Sequence, residues 1–198
     1  MTDARVDGIE VIECQACPEL CGSRSRIVNG VGPEDADLLF VGEAPGRQED
    51  EVGEPFVGRS GDVLDGTLRD CGLDRSDVRI TNCVRCRPPE NRDPTTQERD
   101  NCAGHLDREI AGIDPAVIVA LGKVPSERLL DRSVGVTSEA GSVYETRLAG
   151  ELRRVVVSVH PAATLYDPPQ EETFDRAVGE AVDLAGGGGG DQSRLGEF

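Results

Sequence analysis

The feature that most constrains the fold of this chain is the stretch 38–61, LLFVGEAPGRQEDEVGEPFVGRSG. It opens as a continuous apolar run, Leu38-Leu39-Phe40-Val41, the pattern of a strand buried on both faces. The run stops at Gly42-Glu43-Ala44-Pro45-Gly46. A loop carrying Glu43, Glu49, Asp50, Glu51 and Glu54 follows and closes on Pro55-Phe56-Val57-Gly58. A buried strand that ends in a Gly/Pro turn delivers its loop to the carboxyl edge of a sheet, where open α/β folds bind ligands. The loop is therefore expected to floor a pocket, with Phe56 as one wall. The plainer alternative is an ordinary connection with a solvated acidic run. A phenylalanine among only four in the chain, held between proline and glycine, speaks for the pocket.

The same punctuation recurs downstream. Residues 78–83 (VRITNC) and 116–121 (AVIVAL) read as further strands, and 142–148 with 151–159 as a hairpin whose second arm becomes fully apolar. Helical patterns cover 62–71, 95–113, a short piece up to Leu130, and 171–184. Strands alternating with helices predict an α/β fold, a three-layer α/β/α sandwich around a mostly parallel, four-stranded central sheet. Each of the four buried strands ends in a group able to bind or react: Gly42-Glu43, Asn82, Gly122 and His160. In a parallel sheet all four share one edge. Residues 1–13 read as a mobile N-terminal arm, 14–185 as the domain and 186–198 as a disordered Gly-rich tail.

Charge and cysteines narrow the class. Aspartate and glutamate number 38 against 21 lysines and arginines, a net charge of −17, and Lys123 is the only lysine. The acids are spread along the chain, which suits a protein kept soluble in very high salt, where self-repulsion is screened within ~3 Å at 1 M. No apolar run approaches a membrane span and the first residues lack a secretory pattern, so a cytoplasmic protein is expected. Seven cysteines in such a chain suggest metal ligation before disulfides. Two CxxC pairs, Cys14/Cys17 and Cys83/Cys86, would by spacing alone make a four-thiolate site, for zinc or an iron–sulfur cube alike. Cys21 and Cys71 read as packing residues.

Taken together, these residues resemble the type-4 uracil-DNA glycosylases, the iron–sulfur branch of the uracil-DNA glycosylase superfamily. The resemblance covers roughly residues 12–185 and rests on the order and spacing of several motifs. They are Cys14-x-x-Cys17, Val41-Gly-Glu-Ala-Pro-Gly46 continuing through Glu49-Asp50 to Pro55-Phe56-Val57-Gly58, Thr81-Asn82, Cys86-Arg87-Pro88-Pro89-x-Asn91-Arg92, Cys102 and His160-Pro161-Ala162. It implies that Cys14, Cys17, Cys86 and Cys102 hold a [4Fe-4S] cluster and that Cys83 is a core residue. Period-2 alternation agrees, because Cys83 points away from Asn82 inside a strand.

The resemblance also implies a reaction: hydrolysis of the N-glycosidic bond of flipped-out deoxyuridine, in single- or double-stranded DNA, as the first step of base excision repair. Phe56 would stack on the base, Asn82 would read its edge and His160 would face O2. Glu43, Ala44 and Pro45 would wrap the base, with Glu49 as a second acid beside it. Better-known relatives carry an aspartate where Ala44 stands, so the attacking water falls to Glu43, Glu49 or Asn91. The loop 87–92 lacks the histidine with which a related branch traps DNA covalently. No lysine stands where a Schiff base would need one, so the activity is expected to be monofunctional. Arg59, Arg85, Arg87 and Arg92 are the expected DNA contacts, salt bridging to nearby acids being their structural alternative. A monomer with no membrane partner is expected. Competing readings are a glycosylase of wider scope, an iron–sulfur redox protein, and a non-catalytic binder of damaged DNA.

Overall fold

A computed structural model describes residues 4–186. The described residues begin with a hairpin, β1 (Ala4–Asp7) against β2 (Glu10–Cys14), where the sequence suggests a mobile arm over 1–13. Asn29 clamps this hairpin to the body: its Oδ1 accepts from the Val11 N–H (2.9 Å) and its amide donates to the Val11 carbonyl (3.2 Å). Local propensity cannot announce that long-range clamp. The short helix α1 (Pro18–Ser23) follows. The tail expected as disordered lies, from residue 187 onward, outside the described residues.

The central sheet is built as the apolar runs require. Strands β3 (Leu38–Gly42), β4 (Arg79–Asn82), β5 (Val117–Leu121) and β7 (Glu151–Ser158) are parallel, in the order β4-β3-β5-β7. A fifth strand, β6 (Val143–Leu148), pairs antiparallel with β7 at the edge. The sheet therefore has five strands where four are expected. The first arm of the predicted hairpin joins the same sheet, half-exposed as an edge strand is. The chain steps from β3 outward to β4 and then returns across β3 to β5, which places the switch in strand order at the carboxyl end of β3. Such a crevice is the expected ligand site of an open parallel sheet.

Helices cover both faces. Along β3, Leu38 and Phe40 pack on one side with Leu64 and Leu68 of α3 (Arg59–Asp70) and with Phe174, Ala177 and Val178 of α8 (Pro169–Gly186). Leu39 and Val41 pack on the other side with Leu106 and Ile110 of α4 (Thr96–Ile113) and with Leu129 of α5 (Lys123–Leu130). This period-2 division is the three-layer α/β/α sandwich, with a central strand buried throughout. The loop after β3 is less irregular than its composition suggests, because residues Arg47–Val52 form a short helix, α2. Two further short helices are α6 (Val136–Glu139) and α7 (Pro161–Thr164). Among the described residues, no helix is long and apolar enough to cross a membrane.

One face of the core holds an ionic network. Glu109, fully buried on α4, accepts from Arg79 Nε (2.8 Å), from Thr81 Oγ1 (2.8 Å) and from Arg85 Nη2. Arg79 also donates to the Gly32 carbonyl (2.7 Å). Burial alone would raise the carboxyl pKa of Glu109, but Arg85 and Arg79 hold it below the ordinary range. Gly30 makes room for the network, since a Cβ there would lie 2.1 Å from Glu109 Oε1. Removing one member of a buried ionic group leaves the others uncompensated. Glu109→Gln should therefore lose ~3–5 kcal/mol of unfolding free energy in a urea titration. Glu51→Gln, which breaks the exposed Arg47–Glu51 pair, should leave the midpoint in place.

Candidate active site

The parallel register sets the site. Gly42 lies directly across from Asn82, and the ladder continues past both strands: Cys83 N–H donates to the Gly42 carbonyl and Val84 N–H to that of Glu43, both at 2.9 Å. β7 runs on through Val159 to His160 beside Gly122 at the end of β5. The structure brings Phe56, Asn82 and His160 into one cavity of about 290 Å³, together with Glu43, Ala44, Pro45, Glu49 and Asn91. Gly46, Ser60, Pro88, Arg92 and Asp93 complete its lining. Ser60 and Asp93 had no pattern to single them out from the sequence.

Two glycines make room for the ring and the amide. A Cβ at Gly42 would lie 2.4 Å from Asn82 Oδ1 and 2.6 Å from Phe56 Cζ. A Cβ at Gly61 would lie 1.8 Å from the Phe56 carbonyl oxygen. Phe56 itself has φ 55, a left-handed backbone that costs a bulky residue ~1–3 kcal/mol and persists only where the surroundings impose it. Here α3 begins right after it and closes over its carbonyl. Asn82 is 3% exposed, and among the described residues its side-chain amide makes no hydrogen bond. A buried amide left free and facing a cavity is available to pair with a ligand's polar edge.

His160 stacks on Phe56, ring centroids 5.7 Å apart at 28°. Its Nδ1 accepts from the Ala162 N–H (3.1 Å) at the start of α7, which leaves the neutral ring's proton on Nε2. Burial pulls its pKa down to about 4, against a smaller upward pull from Glu49. His160 is thus an uncharged N–H donor at ordinary pH. Gly122, at φ 107, takes the left-handed turn that brings the end of β5 alongside it.

The acids divide by what they already hold. Glu49 Oε1 accepts from the N–H groups of Val57 (3.2 Å) and Gly58 (3.3 Å), fixing the segment that carries Phe56. Asp50 is 1% exposed and accepts from Ser25 N–H (2.9 Å) and Arg26 N–H (3.3 Å), so it secures a neighbouring loop. Asn91 Oδ1 accepts from Arg87 Nε (2.6 Å). Glu43 has no hydrogen bond from its carboxyl among the described residues, and burial and then Asp93 raise its pKa. Of the three candidates for orienting a water, Glu43 alone is unengaged.

The arginines divide as well. Arg85, expected at a DNA surface, is 1% exposed and bound to Glu109, so that expectation is corrected: it is a core residue. Arg92 is committed to Glu98 (2.7 Å) and Glu19 (3.0 Å), tying the loop after β4 to α4 and α1. Arg59 and Arg87 have no carboxylate partner among the described residues; they donate instead to the Tyr166 hydroxyl and to Asn91 Oδ1.

The cysteines gather beneath that loop. Cys86 and Cys102 form a small cluster with Leu20 and Val84, and Cys17 packs against it. Arg24 donates to Cys86 Sγ (2.8 Å) and to the Cys14 carbonyl (2.7 Å), so it links both ends of the set. Asn101 donates to Cys17 Sγ (3.4 Å), and the Arg85 N–H to Cys102 Sγ (3.4 Å). Three N–H donors aimed at three sulfurs suit thiolates sharing a charged group. Among the described residues, no three His, Cys, Asp or Glu side chains group as a single metal ion would require. Cys83 lies apart, packed with Leu39, Val41 and Leu106, and burial pushes its thiol up to about 12. The CxxC spacing that pairs it with Cys86 thus joins two residues that pack in different clusters.

Fold and cavity define an α/β protein whose parallel-sheet edge opens on a cavity lined by an aromatic ring, one free amide and one neutral imidazole. The model of the Uracil DNA glycosylase superfamily matches residues 29–181. The chain is 42% identical to a type-4 uracil-DNA glycosylase of Archaeoglobus fulgidus, covering 89% of this chain and 90% of that one. It is 41% identical to a type-4 uracil-DNA glycosylase of Thermotoga maritima, covering 88% of each. Similarity to a type-5 uracil-DNA glycosylase of Pyrobaculum aerophilum is lower, at 30%, over 77% of this chain and 79% of the relative. The chain belongs to the uracil-DNA glycosylase superfamily, and its similarity is greater to the type-4 members than to that type-5 one.

The imidazole can be followed directly. Because its pKa is lowered to about 4, nitrogen NMR should show His160 as the neutral Nε2–H tautomer throughout pH 5 to 8. A midpoint near the ordinary value of about 6.5 would contradict the buried, Ala162-bonded geometry.

Proposed function

We propose that this chain hydrolyses the N-glycosidic bond of deoxyuridine flipped out of DNA, releasing uracil and leaving an abasic site for base excision repair. The observation that carries this is the meeting of ring, free amide and neutral imidazole in one cavity. Extrusion costs a few kcal/mol, less at a U·G mismatch than at a sound pair. Phe56 stacks on the extruded base while Ala44 and Pro45 enclose it. The Asn82 amide donates to O4 and accepts from N3–H. Cytosine presents the reverse pattern, which leaves buried polar groups unpaired at ~1–3 kcal/mol each.

As the bond from C1′ to N1 breaks, its electron pair passes to the uracil ring and charge builds on O2. The Nε2–H of His160 donates to that oxygen, and being neutral it needs no proton of its own to give up. A water oriented by Glu43 attacks C1′. Its hydroxyl stays on the sugar, and its proton leaves through Glu43 and finally returns to the uracil anion. Glu49 acts by holding the Phe56 segment. Lys123, exposed at the start of α5, lies outside the cavity lining, so no amine nucleophile is at hand and strand cleavage is not expected.

Cys14, Cys17, Cys86 and Cys102 are the residues that fit a [4Fe-4S] cluster. When bound, the cluster supplies a cross-link between the N-terminal segment and the loop after β4. The chain's own contacts point the same way: Ser23 Oγ donates to the Arg87 carbonyl (2.7 Å) and Arg92 reaches Glu19. Arg59 and Arg87 meet the DNA backbone, single- or double-stranded, and the protein works as a cytoplasmic monomer. With a net charge of −17, working in concentrated salt belongs to the same proposal, since counterion release then contributes little.

A uracil-containing oligonucleotide, single-stranded or with a U·G mismatch, tests the reading through free uracil. Asn82→Ala should lower release at least 100-fold while the visible absorbance of the cluster is unchanged. Cys102→Ser should bleach that absorbance and Cys83→Ser should keep it. Release by the unaltered chain of thymine or hypoxanthine in preference to uracil would sink the assignment.

A further inference from the structure

Acids outnumber bases 38 to 21 along this chain, yet Arg24 pairs with no carboxylate among the described residues. Half-buried at the C-terminal end of α1, it spends its side chain on the cysteines instead. Its Nη1 donates to Cys86 Sγ (2.8 Å) and its Nη2 to the Cys14 carbonyl (2.7 Å), while its backbone N–H donates to the Leu20 carbonyl (2.9 Å). The guanidinium therefore sits between the N-terminal cysteines and the loop after β4, fixed at both ends and at its backbone.

The other donors around the set carry no charge to the sulfurs. Asn101 offers a side-chain amide to Cys17, and the Cys21 thiol donates to the Cys14 carbonyl (3.5 Å). Arg85 presents only its backbone N–H to Cys102, because its guanidinium is bound to Glu109. Among the described residues, Arg24 is thus the one full positive charge that hydrogen-bonds a sulfur of the set. An iron–sulfur cube held by four thiolates is a dianion in its ordinary oxidation state. Partly buried in a chain of net charge −17, such a dianion calls for a counter-charge. Charge and hydrogen bonds at the sulfurs set the potential at which a cluster gives up an electron, and a charge-assisted N–H···S bond acts on both counts.

We propose that Arg24 is the counter-ion of the cluster held by Cys14, Cys17, Cys86 and Cys102, and that its positive charge raises the potential at which that cluster is oxidised. This rests on the cluster assignment and not on the glycosylase reading. Arg24 is a positioning residue: it touches the ligands and acts through them. On oxidation one electron leaves the cluster, no bond to sulfur breaks, and the dianion becomes a monoanion. A fixed cation favours the dianion more than the monoanion, so its loss makes the electron easier to remove.

The test is voltammetry of the full, cluster-loaded chain, with the electrode taking the electron. Arg24→Gln keeps an N–H donor but removes the charge, and should lower the potential by about 59 mV or more, a tenfold change in the one-electron equilibrium. Arg24→Lys keeps the charge and should shift it by less than about half as much. Arg26→Gln controls for net charge: exposed Arg26 donates to the Val52 carbonyl (3.2 Å), and its loss should leave the potential in place. Arg24→Gln that titrates like the unaltered chain, or Arg26→Gln that shifts as far, would overturn the inference. Should Arg24→Gln hold too little cluster to titrate, Arg24→Lys decides. A loaded Arg24→Lys chain near the unaltered potential supports the counter-ion role; one equally bare, or shifted by the full amount, overturns it. An unaltered chain that binds no iron would overturn the cluster assignment itself, whatever uracil it releases.

Discussion

The site depends on a missing side chain. Gly42 and Asn82 end neighbouring parallel strands in register, so the space above Gly42 is shared by the Asn82 amide and the edge of Phe56. Any Cβ at that point would push against both. The Asn82 amide is therefore positioned by the hydrogen-bonded ladder of the sheet. The loops contribute what the sheet cannot: a ring set at a left-handed backbone position and a carboxylate that fastens its segment by two N–H bonds.

Beneath this edge, the face of the sheet covered by α4 ends in charge. Glu109 binds Arg79 and Arg85 together with Thr81, and Arg85 in turn offers its backbone N–H to Cys102. Buried ionic groups of this kind contribute little net stability but strongly penalise any arrangement that separates them. Here they specify how α4, β4 and the loop after β4 meet. That same loop carries Cys86 on one side and lines the cavity with Pro88 and Asn91 on the other. The cysteine set and the cavity share a wall.

Much of this was legible beforehand, for identifiable reasons. Continuous apolar runs marked the parallel strands because both faces are covered, and their abrupt polar ends marked the edge where Asn82 and His160 emerge. Alternation separated Cys83 from Asn82. The features that escaped were those decided across long sequence distances. Arg85 looks like a surface residue in a polar loop, because the partner that buries it sits far away on α4. The clue was in the helix: Glu109 falls on the face defined by Cys102, Leu106, Ile110 and Ile113, where a charge demands a buried partner. The β1–β2 hairpin was unreadable because Asn29 holds it from outside its own sequence. The short α2 hid in an acidic run whose composition suits a loop as well as a helix.

The strand order carries a consequence for how the protein comes into being. β3, β4 and β5 can pair as soon as they are synthesised, but β7 docks on β5 only after β6 and the turn before it exist. His160, the sole imidazole of the cavity, lies just beyond β7. A growing polypeptide thus owns the slot and its amide long before it owns the group that completes them. Until the final parallel strand is seated, the slot stands open on the side that His160 will close.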